Sequence, residues 1–206
     1  LTTTGAFSSS RPVTLTNTGT INTGSALTLS GALTGTGGLT KAGSSTLTLS
    51  GTSNAYSGTT TVSEGTLQAG AANAFSSSSA VSLANTVGAT LDLNSINNTI
   101  ASLAGGGVDG GNVTLGTGTL TTGGDNSSTS YGGVISGAGV LLKTGSGTLT
   151  LTGTNTYSSG TQVTGGAVSV VADANLGDSA GTLALNNGQL TTTGAFSSSR
   201  PVTLTN

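Results

Sequence analysis

Cysteine, methionine, tryptophan and histidine are all missing from this chain of 206 residues. Without cysteine there are no disulfides, and without thiolate or imidazole every histidine-dependent catalytic scheme and the commonest transition-metal sites fall away. Charge is nearly as scarce: Lys and Arg number 4, Asp and Glu 6, together 5% of the residues, for a formal net charge of −2. No run of like charge occurs, so neither nucleic acid nor an anionic membrane surface is an expected partner. No stretch approaches the roughly 18 apolar residues of a membrane helix, so no membrane insertion is expected. No signal peptide is visible in these residues, which leaves export open.

What fills the chain instead is glycine, of which there are 36, and threonine, which is more numerous still. A polymer so poor in charge and aromatics would be disordered if its aliphatic residues were also few or scattered. They are neither. TLTLS from Thr46, TTVSEGTLQAG from Thr60, AVSLA from Ala80, ATLDL from Ala89, NVTLGTGTLTTG from Asn112 and TLTLTG from Thr148 alternate with a period of two, bounded by Gly, Asn or Ser. This is the pattern of half-buried strands, and no segment carries a helical periodicity. Thr46 and Thr66, Thr60 and Ala80, Ala80 and Thr99, and Thr99 and Thr119 lie about 20 residues apart, which predicts a β-solenoid of that coil length. The fold class is therefore all-β, a parallel β-helix whose inward Leu, Val, Ile and Ala stack from coil to coil.

Two longer repeats are written over the coil period. LTTTGAFSSSRPVTLTN occupies Leu1 to Asn17 and returns unchanged at Leu190 to Asn206, so the long period runs from Leu1 to Gln189. Residues 1–189 read as one module and 190–206 as the start of the next, in one continuous solenoid. At roughly 4.8 Å between paired strands, about nine coils per module would rise about 43 Å. Inside the module, GALTGTGGLTKAGSSTLTLSGTSNAYSG from Gly31 matches GVISGAGVLLKTGSGTLTLTGTNTYSSG from Gly133. This inner duplication keeps one offset up to Gly51 and shortens by a single position before Asn54. Lys41 thereby corresponds to Lys143, Asn54 to Asn155 and Tyr56 to Tyr157.

The string GxGxLxKxGxGTLTLxGxNxYSxGTxVxxGxL, near-complete at Gly137 to Val168 and slightly altered at Gly35 to Leu67, resembles the β-strand repeat of bacterial autotransporter passenger domains. GATLDLNSINNTIASLAG, from Gly88 to Gly105, is similar to their connecting unit. Ser45 and Ala55 depart from the pattern, where Gly and Thr are usual. The resemblance implies a right-handed parallel β-helix, secreted and displayed at the bacterial surface, often within very large adhesins. It implies no ligand, since the shared residues are those that build coils.

The residues with chemical potential have modest readings. Lys41 and Lys143 precede glycine turns; a lysine there would be a solvated charge discouraging lateral strand pairing, with an intramolecular amide bond as the alternative. Asn54 and Asn155 read as corner residues in left-handed backbone, with Tyr56 and Tyr157 covering an exposed coil edge. A sugar contact is the other reading of the asparagines. Asp92, Asp109, Asp125, Asp173 and Asp178 are spread at one per coil or fewer, whereas glycoside hydrolysis needs paired carboxylates. Asp125 and Asp178 sit in turn sequences that Asp favours. GGGVDGGNV at Gly105 to Val113 holds a single carboxylate against the six to eight oxygens calcium takes, so it reads as a turn. The Thr-x-Thr runs suit the solvent face of strands; an ice-binding ladder would need the same pair on successive coils, and VSL, LDL and ASL interrupt it.

No catalytic site, cofactor or metal is expected. The expected role is a structural repeat of a giant secreted surface fibre, joined end to end to neighbouring modules and open to lateral association, serving display, attachment or cell-cell contact. A module gripping a glycan or protein ligand is the alternative, and a polysaccharide-degrading enzyme a more distant one.

Overall fold

The period-two runs become short strands, none longer than five residues, in a computed structural model that describes residues 1–205. Each strand sends alternate side chains inward, as in Leu47 and Leu49 of Thr46–Leu49, and each pairs in parallel with the strand one coil away. The result is a solenoid with three faces. The first carries ten strands, from Thr2–Thr3 to Gln189–Thr192, and the second seven, from Phe7–Ser9 to Ile135–Ser136. The third is built in two sections, three strands from Val13–Thr14 to Ala55–Tyr56 and six from Asn98–Thr99 to Val202–Thr205. Between the sections Ser76 Oγ donates to the Tyr56 carbonyl at 2.6 Å and the Phe75 amide donates to Asn98 Oδ1 at 3.2 Å, so side chains carry the ladder across.

The strand register defines the core. On the second face Phe7, Leu27, Leu47, Leu67, Leu91, Val113 and Ile135 stand directly above one another. All but Phe7 are buried. Each such side chain stabilises the column by about 1.5–3 kcal/mol. A 3-10 turn at Asp173–Leu176 is the one helical element among the described residues. No helix among them is long and apolar enough to cross a membrane.

The expected coil spacing holds for Thr46, which faces Thr66, but drifts afterwards. Thr60 faces Val81 rather than Ala80, and Ala80 and Thr99 lie on different faces: Val81 meets Leu103, while Thr99 meets Thr121. Coil length is not fixed. The step from Thr148 to its partner Ala167 is 19 residues, whereas the step from Gly105 to its partner Tyr131 is 26. The extra residues lie in turns outside the core, where length changes do not alter which side chains point inward.

Of the opening segment, AFSSSRP from Ala6 to Pro12 is expected to be a turn between two strands; in the structure Phe7–Ser9 within it is a strand of the second face. The two longer repeats behave differently on this frame. Thr2 and Thr191 both lie on the first face, nine strands apart, and Val13 and Val202 both on the third, so a shift by the long period returns a segment to its own face. The inner duplication does not: Leu39–Ala42 is on the first face and Val140–Lys143 on the third, Thr46–Leu49 on the second and Thr148–Leu151 on the first.

Replacing Leu67 by Ala removes the middle of a fully buried column and is expected to cost about 2–5 kcal/mol by urea unfolding. Its outward neighbour Gln68→Ala should stay below about 1 kcal/mol.

Candidate functional site

Lys41 and Lys143 are not solvated, and the structure corrects that expectation. Both are buried, because alternation from Leu39 and Leu141 places them in inward slots, Lys41 between Ile21 below and Val62 above. An ammonium enclosed among aliphatic residues must replace its water shell with hydrogen bonds. Lys41 Nζ donates to the carbonyls of Ala42, Gly43 and Glu64 at 3.0, 2.6 and 2.9 Å. Lys143 Nζ repeats the cage, donating to the carbonyls of Thr144, of Gly145 at 3.0 Å and of Gly165 at 3.5 Å. Gly65 explains why the cage is glycine-lined: a Cβ there would lie 2.8 Å from Lys41 Nζ, and its φ of +63° disfavours any other residue. With backbone carbonyls as acceptors, neither amine is set against a carboxylate for amide formation. Burial lowers the Lys41 pKa to about 8, opposed by Glu64, and lowers that of Lys143, opposed by Asp125.

The asparagine and tyrosine expectations are corrected in the same direction. Asn54 and Asn155 are buried and neither has a positive φ. Asn54 Oδ1 accepts from the Leu33 amide at 2.7 Å while Nδ2 donates to the Ala74 carbonyl at 2.5 Å, joining three coils. Asn155 does the same with the Ile135 amide, 2.8 Å, and the Asn175 carbonyl, 2.6 Å. Tyr56 and Tyr157 lie wholly inside. Their hydroxyls bond Thr60 Oγ1 at 2.6 Å and Thr161 Oγ1 at 2.5 Å, and burial raises both pKa values, Tyr157 to about 12. The alternation gives no sign that Thr60 and Thr161 are hydroxyl partners, although a Thr stands four positions after the Tyr in both copies.

The carboxylates serve structure, most of them locally, and Asp173 and Asp178, expected at one per coil or fewer, share one loop. Asp125 Oδ1 accepts from the Ser127 amide at 3.0 Å and Asp178 Oδ1 from the Ala180 amide at 2.8 Å, as the turn reading expects. Asp92 lies in an outer row with Thr48 and Gln68, accepting from Gln68 Nε2 at 2.9 Å. That row runs Ser8, Thr28, Thr48, Gln68, Asp92, Thr114 and Ser136, so its threonines are interrupted by Gln68 and Asp92 and make no uniform ladder along the rod. No group of three Asp, Glu, His or Cys side chains comes together among the described residues.

One part of the outer surface breaks the smooth rod. The turns at residues 84–89 and 106–111 project side by side, tied where Asn85 Oδ1 accepts the Asp109 and Gly110 amides at 2.9 and 3.2 Å. Their tips are Val87, 79% exposed, and Val108, 98% exposed. Beside them runs a cleft of about 540 Å³ floored by glycine backbone and bordered by Asp109, Asn112, Val134, Thr152 and Thr154. This pair of valine tips was not anticipated from the sequence, where GGGVDGGNV reads as an isolated turn.

Comparison with known proteins places these features. The family model of the passenger-associated-transport-repeat matches residues 39–69 and 141–170, the two stretches that hold the lysine cages and the Asn-x-Tyr units. The chain is also 44% identical over 180 residues to the adhesin BmaC autotransporter of Brucella suis biovar 1 (strain 1330), covering 82% of this chain and 5% of that protein. No solved structure matches the chain. The chain is thus built on the autotransporter passenger repeat, and it spans about one twentieth of the length of the relative it matches.

Two outcomes follow from the interior polar groups. Asn54→Ala and Asn155→Ala each strand a buried amide and should cost about 1–3 kcal/mol in unfolding experiments. For Lys41, a folded-state pKa of about 8, below the ordinary 10.5, means that unfolding takes up a proton between those two values, so stability rises with pH through that window. The urea midpoint of the wild type should therefore climb relative to Lys41→Met as pH is raised from about 8 towards 10.

Proposed function

We propose that the chain is one repeat of a surface-displayed, non-enzymatic β-helical rod, joined in series to further copies and serving to project or attach a bacterial cell. The observation that carries this reading is the return of the long period to the same faces after nine coils. A next copy entering at residue 190 continues the same hydrogen-bonded column, with no linker and no change of direction. The likeness to an autotransporter adhesin supports display outside the cell and a role in attachment. Carboxylates engaged in local turns and outer rows support a role without catalysis. Lateral packing of rods would use uncharged outer rows such as Thr20, Thr40, Thr61, Ser82 and Ala104 of the first face.

A second reading, a module that grips a glycan or protein itself, is favoured by the projecting Val87 and Val108 tips and the cleft beside them.

Small-angle scattering of chains carrying one, two and three copies tests the first reading. The maximum dimension should grow by about 43 Å per copy at roughly 4.8 Å per coil; copies that behave as hinged, separate bodies would refute a continuous rod. For the second reading, Val87→Ser with Val108→Ser should abolish binding to a glycan array or to host matrix proteins while leaving the circular dichroism unchanged. Binding that survives both changes would remove the loop pair from the account.

A further inference from the structure

The segment LTTTGAFSSSRPVTLTN is present twice, once beneath a coil and once on top of one. Leu1–Asn17 pairs with the coil that follows it, Thr2 facing Asn22 and Val13 facing Leu33. The second copy pairs with the coil that precedes it, Leu190 facing Val168 and Val202 facing Leu183. The same residue in two settings reveals which neighbour it serves. Leu15 is 6% exposed beneath the second coil, whereas its equivalent Leu204, with nothing above, is 71% exposed. The arginine behaves oppositely: Arg11 is exposed, and Arg200 is 6% exposed.

What buries Arg200 is the loop of the preceding coil. Nε donates to Asp173 Oδ1 at 2.7 Å, the one ion pair among the described residues. Nη1 donates to the carbonyls of Leu176, Asp178 and Gly181 at 3.2, 3.3 and 3.2 Å, and Nη2 to those of Asp173 and Gly177 at 3.0 and 3.3 Å. A planar fork of five N–H donors suits such a ring of acceptors, which a lysine could not span. All these acceptors lie in residues 173–181, near the end of one long period, and the guanidinium lies in the opening of the next.

We propose that this arginine locks consecutive repeats: the loop at residues 173–181 is a socket for the guanidinium that opens the following copy, and Arg200 fills it here. The proposal rests on the serial-rod reading and names the partner, a second copy of this chain entering through its own Leu1–Asn17. The opposite end has matching chemistry. Beneath the first coil lies an apolar cavity of about 440 Å³ lined by Leu1, Phe7, Val13, Leu15 and Ile21 with Arg11 at its border. A preceding copy would cover it with the surface that Val168, Leu176 and Leu183 present to residues 190–205. Arg11 is thus the same residue facing away from any socket within its own chain, which makes it an internal control.

Hydrogen exchange on the full chain, and on a chain in which residues 18–206 are repeated after Asn206, tests the lock. Arg200→Ala should accelerate exchange of the amides in 173–181 at least tenfold while residues 46–69 keep their protection, showing that the fold is intact. Asp173→Ala should reproduce much of this effect, and the pair of changes should add little to Arg200→Ala alone. Arg200→Lys should restore only part, and Arg11→Ala should leave the loop unchanged. Unaltered exchange in Arg200→Ala, or an equal effect of Arg11→Ala, would overturn the lock. In the two-repeat chain a doubled length with no response to Arg200→Ala rejects the lock and keeps the rod, whereas a length that fails to grow rejects the rod.

Discussion

Parallel backbone pairing between each strand and its counterpart one coil away is the constraint on which everything else in this protein rests. It fixes which side chains meet, because an inward residue has an inward residue directly above and below it at the spacing of paired strands. Aliphatic columns such as Leu27, Leu47, Leu67 and Leu91 satisfy that condition by contact alone. A polar residue in the same slot must find hydrogen bonds inside the column. The two lysines take theirs from carbonyls of their own turn and of the coil above. The asparagines reach one coil down and one coil up, and Tyr56 passes its hydroxyl contact through Thr60 to Ser79 of the next coil. These groups act along the same axis as the backbone ladder and tie coils at points where the aliphatic stack is interrupted.

The outside of the rod is under no such constraint. Coils lengthen at residues 84–89 and 106–111 without disturbing the inward register, and the projecting Val87 and Val108 tips arise there. The inner duplication shows the same freedom. Its two copies keep the Lys, Asn, Tyr and Thr positions but begin on different faces, so equivalent outward residues point in different directions. What the shared motif preserves is an interior arrangement that works on any face, and a motif of that kind specifies coils rather than a binding surface.

This distinction also accounts for what the sequence made legible. Parallel strands, the short coil period and the scarcity of helix follow from alternation, which is a property of each strand by itself. The same alternation places Lys41 two positions after Leu39, and Tyr56 two after Asn54, all on one side; the inward position was written in the spacing, and residue type misdirected the reading towards solvent. The faces were not legible, because coils as unequal as the Thr148-to-Ala167 and Gly105-to-Tyr131 steps accumulate drift that only the pairing resolves. Arg200 was illegible for a related reason: its partners lie in the preceding coil, from Asp173 to Gly181, in a loop with no repeat to mark it.

The long period and the inner duplication therefore carry different physical information. A period that is a whole number of coils keeps every outward feature in phase, whereas one that is not turns each copy to a new face. In the proposed series, the Val87 and Val108 tips would recur along one side of the rod about every 43 Å at roughly 4.8 Å per coil, and each joint would carry the same arginine in the same socket. A rod assembled this way gains length without gaining new kinds of surface. Weak contacts at the tips would then be presented in a line, and their combined strength would grow with the number of copies that can engage a partner at once. Such multivalency depends on the joints staying rigid, because a hinge at each repeat would scatter the tips around the axis. The burial of Arg200 in the loop at 173–181 is suited to prevent that, since rotation at the joint would break the ion pair and the carbonyl contacts together.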